Sequence, residues 1–373
     1  MIYLDNSATT RTMGVAAEAA KKYMTEEFFN PAAAYSPAVR EERAVNGARK
    51  TIGSAINAGP DEIIFTSGGT ESNNMAILGS LKAMRGRGRI IVGSTEHPSV
   101  YEVYKSLACQ YDVVEAPVDN TGMIDLKRLE SLITPDTRLV SVMQVNNEVG
   151  AVNDAEAIRR ILRRRSPEAL LHVDGVQGFL KVPFDAKNCD LYSISGHKIH
   201  APKGIGALYI RAGLKLKPFI VGGSQESGMR AGTEAMPQIA AFGAASEIAY
   251  AGMKENIARM SALRERAVSR LERDIPELRV ISSADSAPHI LSISLPGWRS
   301  EVLMNFLEAR GVYVSRSSAC KKGGRSHVLE TVGLDAKTID GAIRVGLSRL
   351  TTEEDIDALC DALRDAHDTL AHR

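Results

Sequence analysis

The sequence predicts an α/β protein: a large domain built on a mostly parallel sheet flanked by helices, plus a smaller α+β domain. Three observations predict this. Between residues 60 and 210, short apolar runs alternate with segments whose apolar residues recur at helical spacing. After a long helical stretch at 235–273 that alternation gives way to a different pattern. The chain, at 373 residues, is also long for a single hydrophobic core.

The elements follow in order. Runs at 62–66, 89–93, 139–145, 170–174, 191–195 and 206–210 read as strands. Between them, 125–134 and 154–165 have helical periodicity. In the latter, Ile158, Ile161 and Leu162 make the apolar stripe, which puts the arginines from 159 to 165 on a solvated face. The stretch 235–273, rich in Ala, Glu and Arg, reads as one long helical segment. Beyond it, 278–282, 289–295, 312–315 and 342–348 read as strands, and 301–310 and 353–367 as helices. The expected domains are 13–250 for the large one and 1–12 with 251–373 for the small one.

Composition excludes several classes. Hydrophobic residues make up 44% and charged residues 24%, as in an ordinary folded protein. A net charge of +1, from 46 basic and 45 acidic side chains, favours neither nucleic acid nor an anionic membrane as partner. The four cysteines (Cys109, Cys189, Cys320 and Cys360) form no CxxC pair, so neither a metal site nor a disulfide framework is expected. No leader pattern and no membrane-length apolar run is visible, which fits a reducing cytoplasm and free thiols.

In a parallel sheet, ligands sit beyond the carboxyl ends of the strands, so polar residues just after each run come first. Ser67-Gly-Gly-Thr-Glu-Ser-Asn73 follows a strand and opens a helix carried by Ile77, Leu81 and Met84. Free N–H groups and the positive dipole end make it an anion site, with Gly69 giving close approach and Thr70 a hydroxyl. An ordinary capped helix is the alternative. Ser195-Gly196-His197-Lys198 also follows a strand, where a lysine is either a surface residue or an amine tuned for joining a carbonyl. Asp174 ends the run 170–174, where a buried carboxylate needs a positive partner. A cap or a structural salt bridge would also account for it.

Taken in order with Tyr3-Leu-Asp-Asn-Ser-Ala-Thr9, Thr95-Glu-His-Pro98, Asn146-Asn-Glu-Val-Gly150, Gly228-Met-Arg-Ala-Gly-Thr233 and Ser317-Ser-Ala-Cys320, these motifs make the chain resemble the cysteine desulfurases. These are the class V aminotransferase branch of fold-type I pyridoxal-phosphate enzymes, and the likeness runs from Tyr3 to Arg344. The resemblance implies a mostly parallel seven-stranded-type sheet in the large domain. It implies pyridoxal 5'-phosphate as cofactor, L-cysteine as substrate and a sulfur-acceptor protein, for instance an iron–sulfur scaffold or a tRNA-thiolation enzyme, as partner.

By the same resemblance Lys198 is similar to the Schiff-base lysine, and Asp174 to the residue at the ring nitrogen. Gln177 is similar to the residue at the ring hydroxyl, and His97 to the one stacked on the ring and shuttling protons. Asn147 matches an asparagine near ring and substrate. Gly69, Thr70, Ser195, Gly196 and His197 match the phosphate site. Thr233 resembles a threonine that reaches the phosphate across a homodimer interface. Arg344 matches the arginine that binds the substrate carboxylate through its planar fork. Cys320 matches the nucleophile that accepts sulfur as a persulfide.

Two positions depart from the family pattern: only residues 321–325 separate Cys320 from Ser326, and His200 stands where many members have tyrosine. Cys109, Cys189 and Cys360 lie in apolar patterns and read as structural. The competing readings are a related lyase or transaminase, for instance one acting on selenocysteine, and a non-catalytic scaffold that binds sulfur-carrier partners.

Overall fold

The computed structural model describes residues 1–316 and 324–370. A two-residue strand, β1 (Ile2–Tyr3), opens the chain. The large sheet takes β2 (Ile63–Thr66), β3 (Arg89–Gly93), β4 (Asp112–Ala116), β5 (Thr137–Met143), β6 (Leu170–Asp174), β7 (Leu191–Ser195) and β8 (Gly206–Ile210). Their order is β2-β8-β7-β6-β5-β3-β4. Neighbours pair in parallel except around β8, which runs antiparallel to both β7 and β2. The carboxyl ends of β2, β3, β5, β6 and β7 therefore share one edge of the sheet.

Both faces are covered, as the sequence predicts. In β3, Ile91 packs into the core formed with the helices Gly14–Thr25, Ser36–Ser54 and Met236–Ala251, while Ile90 and Val92 face Ile77, Leu81, Val100 and Tyr104. The sequence pattern does not announce β4. It is an edge strand with Asp112 and Glu115 exposed, and those charges hide its apolar Val113 and Val114.

The long helical stretch is two helices, Met236–Ala251 and Met253–Asp274, divided at Gly252. The break separates two cores: Ala249 belongs to the first, while Met260, Leu263, Ala267 and Leu271 belong to a second. The second core lies under β9 (Arg279–Val280), β10 (Ile290–Ser294), β12 (Ser315–Arg316) and β13 (Ala342–Gly346), ordered β12-β13-β10-β9, with the helices Ser300–Ala309 and Glu353–Thr369. The intervening β11 (Val312–Tyr313) pairs in parallel with β1, so the strand expected at 312–315 is split at Val314 between two sheets.

Leu4 is buried in this second core, and the chain then crosses to the large sheet. Gly346 donates to the Leu4 carbonyl (2.6 Å), Asn6 Nδ2 donates to the Gly346 carbonyl (2.9 Å), and the Thr10 N–H reaches the His197 carbonyl (2.9 Å). A Cβ on Gly346 would lie 2.6 Å from the Ser7 nitrogen, so the crossing requires glycine there. Two sequence expectations change. Cys109 is exposed, because its turn follows the helix Pro98–Leu107 rather than lying inside it; Cys189 and Cys360 are buried. Arg159 does not sit on a solvated face but pairs with the buried Asp190. No helix among the described residues is long and apolar enough to cross a membrane.

Candidate active site

The carboxyl ends of β5, β6 and β7, the starts of two helices, the N-terminal crossing and β13 enclose a cavity of about 330 Å³. That size suits a small cofactor with a small substrate. Lys198 reaches it from the short turn Gly196–Lys198 that follows β7. Its Nζ donates to the carbonyls of Ser7 (2.6 Å) and Ala8 (2.8 Å). The turn is pinned behind by His200, whose backbone lies in the left-handed region (φ 70°) and whose Nδ1 meets the Arg11 carbonyl at 2.8 Å.

Asp174 ends β6 and is 5% exposed. Its Oδ2 accepts from Asn73 Nδ2 (2.9 Å) and its Oδ1 from the Val176 N–H (3.0 Å). Among the described residues it forms no salt bridge. Gln177, one turn on, donates through Nε2 to the Ser7 carbonyl (2.8 Å) and accepts at Oε1 from Lys181 Nζ (3.2 Å). Burial, reinforced by the charges of Lys198 and Arg344, pushes Lys181 well down toward the neutral amine.

His97 caps the helix Pro98–Leu107: its Nδ1 accepts from the Ser99 N–H (3.1 Å). Burial lowers its pKa; the Asp174 charge works against that and the Lys198 charge with it. The preceding Glu96 is buried and accepts from the Met143 N–H (2.6 Å), while its Oε2 has no partner among the described residues. Burial, and then the Asp174 charge, pushes Glu96 well above the usual carboxylate range.

The helix Gly69–Ala83 starts at Gly68, with no side-chain cap on its first N–H groups. Gly68 has φ 149°, and a Cβ on Gly69 would sit 2.6 Å from Val176 Cγ2. Gly69, Thr70, Ser195 and His197 line the cavity here. Burial, then the charges of Lys198, Lys203 and Lys181, lowers His197 to about 4, so its ring is neutral.

On the far wall Arg344 rises from the middle of β13, with its side chain 3% exposed. It donates to the Asn147 carbonyl (2.7 Å), Ser315 Oγ (2.8 Å) and Asp5 Oδ1 (3.1 Å), and its Nε has no partner among the described residues.

The cavity thus gathers Gly69, Thr70, His97, Asn147, Asp174, Gln177, Ser195, His197, Lys198 and Arg344. It does not gather Gly196, whose N–H is spent on the Ile205 carbonyl (3.0 Å) and whose missing Cβ makes room for Ile205. Nor does it gather Thr233, which is exposed. Cys320 lies outside the described residues. Sequence reasoning missed Asn73, Glu96 and Ser99, all inside quoted motifs or beside them but with no chemistry of their own to single them out.

The family model described as aminotransferase class-V matches residues 2–359. A curated relative, "Cysteine desulfurase 2" of Trichormus variabilis, is 42% identical over 363 residues, covering 96% of this chain and 90% of that protein. Among solved structures, a "NifS-like protein" superposes with a TM-score of 0.93 at 35% identity, over 99% of this chain and 100% of that one. "SspA in complex with cysteine" does so at 0.82 and 29% identity, over 94% and 100%.

Proposed function

The chain belongs to the class-V aminotransferase family and is a cysteine desulfurase within it, and we propose that it uses pyridoxal phosphate to take sulfur from L-cysteine, leaving L-alanine and a persulfide on Cys320. The observation that carries this reading is Asp174, a buried carboxylate bonded only to neutral amides, in one cavity with the Lys198 amine and the Arg344 guanidinium. Burying a carboxylate without a cation is costly, and a protonated pyridine ring would supply the missing charge. The uncapped helix start at Gly68 and Gly69, with Thr70 and Ser195, fits a phosphate.

When bound, the cofactor supplies an aldehyde that joins an amine covalently and a cationic ring that takes up the electrons of the substrate Cα–H bond. The protein's own residues do the rest. Lys198 would hold the aldehyde, and its amine would be the base at hand for the Cα proton; the Ser7 and Ala8 carbonyls keep that amine in place. Arg344 fixes the substrate carboxylate, itself aimed by Asp5, Ser315 and the Asn147 carbonyl. The Cys320 thiolate attacks the substrate sulfur: the Cβ–S bond breaks, an S–S bond forms, and cysteine plus thiol become alanine plus persulfide with no outside electron donor.

The same reading pairs two copies of the chain, with Thr233 of each completing the other's phosphate site, and treats 13–250 and 1–12 with 251–373 as the two domains. It places the enzyme in the cytoplasm, handing sulfur to an acceptor protein of iron–sulfur assembly or another thiolation route. The free thiols of Cys109, Cys189 and Cys360 support a reducing setting.

Two variants test the reading. Lys198→Ala is expected to lose the near-visible absorbance of the covalently held cofactor. Cys320→Ser is expected to keep that band but to form no persulfide and release no sulfide from cysteine. A retained band in the first, or wild-type turnover in the second, would refute it.

A further inference from the structure

Four side chains from three elements form one hydrogen-bonded line beside the cavity. Asp174, at the end of β6, accepts from Asn73 Nδ2 (2.9 Å) on the helix Gly69–Ala83. The same Nδ2 lies 2.8 Å from Ser99 Oγ, and Ser99 Oγ lies 2.8 Å from His97 Nδ1. Asn73 is fully buried.

The direction of each bond can be worked out. An ionised carboxylate only accepts, so Asn73 must turn its NH2 toward Asp174. Turning the amide over would set its oxygen against the carboxylate. The second hydrogen of that NH2 goes to Ser99 Oγ. The Ser99 hydroxyl, accepting there, has its own hydrogen to give, and His97 Nδ1 is the acceptor at hand. The Ser99 backbone N–H, which can only donate, meets the same nitrogen at 3.1 Å. Two donors converging on Nδ1 leave no hydrogen on it.

We propose that Asn73 and Ser99 are positioning residues: they carry a one-way hydrogen-bonded chain from Asp174 that holds His97 as the neutral ring with its proton on Nε2. A second proton at Nδ1 would break both bonds and would turn an N–H toward the positive end of the ten-residue helix Pro98–Leu107. Of the charged groups that act on the ring, Asp174 favours the cation, while Lys198 and burial oppose it. His97 therefore serves as a hydrogen-bond donor through Nε2 to an electron-rich atom of whatever the cavity holds, and not as an imidazolium acid; a neutral imidazole at a helix N-terminus is a known way to polarise a bound group. The tautomer stands on the geometry alone, whereas its use in the reaction rests on the desulfurase reading.

The test is nitrogen NMR of holoenzyme labelled with 15N-histidine, with the His97 signals assigned by their loss in His97→Gln. The expected wild-type spectrum has a bare, pyridine-type Nδ1 and a protonated, pyrrole-type Nε2 at neutral pH. Asn73→Asp reverses the line: the new carboxylate takes the Ser99 hydroxyl hydrogen and leaves Ser99 Oγ free to accept from Nδ1–H. The His97 titration midpoint is then expected to rise by about one pH unit or more. Ser99→Ala removes one of the two donors and is expected to move it the same way by about half as much, while Ser99→Thr restores the wild-type signals. A proton on Nδ1 in the wild type, or an unmoved midpoint in both Asn73→Asp and Ser99→Ala, overturns the proposal. Alanine and sulfide measured on the same wild-type sample separate the two claims. No alanine with a bare Nδ1 removes the desulfurase reading and leaves the tautomer standing; alanine with Nδ1–H does the reverse.

Discussion

Replacing Gly175 by alanine should damage both stability and cofactor binding, because the residue after Asp174 has no room for a methyl group. A Cβ there would lie 2.0 Å from Tyr192 Cζ, 2.3 Å from Cε2 and 2.4 Å from the hydroxyl oxygen. Carbon atoms in contact sit about 3.5 Å apart, so the ring or the backbone must move by about 1.5 Å. Tyr192 cannot move freely. It is fully buried, stacked on Phe184 with centroids 4.2 Å apart, and donates to Gln144 Oε1 at 2.5 Å. The backbone is tied as well: Gly175 N–H bonds to the Ser193 carbonyl (3.0 Å), and the Asp174 carbonyl accepts from the Gln144 N–H (2.9 Å). Overpacking costs about 1–3 kcal/mol and a broken buried hydrogen bond about 1 more, so about 3 kcal/mol is expected. The denaturation midpoint reports the first loss, and an absorbance titration of the cofactor-free protein reports the displacement of Asp174. Adding Tyr192→Met, an unbranched and adaptable side chain, should return at least half of the lost stability, so the pair is strongly non-additive. A single variant with wild-type midpoint and cofactor affinity, or a double variant whose losses simply add, would refute the steric reasoning.

Two further outcomes follow from the cavity wall. Burial raises the Glu148 carboxyl to about 7, against the Ser326 hydroxyl and the Arg344 charge, which lower it. Since the folded value lies above the unfolded one, near 4.3, the native protein holds an extra proton between them, and stability falls as pH rises through that window. Glu148→Gln should therefore change little at pH 4 and stabilise by up to about 2 kcal/mol at pH 8, after allowance for its residual exposure; equal midpoint shifts at the two pH values would count against it. Arg344→Lys cannot reproduce a planar fork already aimed by three partners, so KM for cysteine should rise about tenfold or more with the cofactor band intact, and an unchanged KM would place the carboxylate elsewhere.

What the sequence reveals and hides has physical causes. The strands β2, β3, β5, β6, β7 and β8 are short apolar runs because both faces of the sheet are covered; β4 escapes because one exposed edge tolerates Asp112 and Glu115. The split of 312–315 escapes because β11 pairs with residues 310 positions earlier, and no local pattern records a partner that remote. In the site, residues whose own chemistry is unusual at a strand end, such as Asp174 and Lys198, stand out. Asn73 and Ser99 do not, since an asparagine and a serine on helices carry no signal until the fold sets them between a carboxylate and an imidazole.

The charge state of the cavity is the part least readable from residue types, because burial decides it. Glu96, beside Asp174, and Lys181, His197 and His289, near Lys198, are all pushed toward their neutral forms. Desolvation is the leading cause each time. The next causes are the charges of Asp174 on Glu96, of Lys198 and Arg344 on Lys181, and of Lys198 on His197; on His289, Lys181 comes before Lys198 and Arg344. Burial thus silences the groups behind the cavity, and the charges of Asp174, Lys198 and Arg344 add to it. Silencing has a use: a second carboxylate beside Asp174 would compete for the same cationic ring, and a second charged amine beside Lys198 would repel a ligand that must arrive as a cation at one end and an anion at the other. By this logic Lys181→Met, which removes an amine that burial pushes toward its neutral form, should perturb cofactor binding far less than Asp174→Asn.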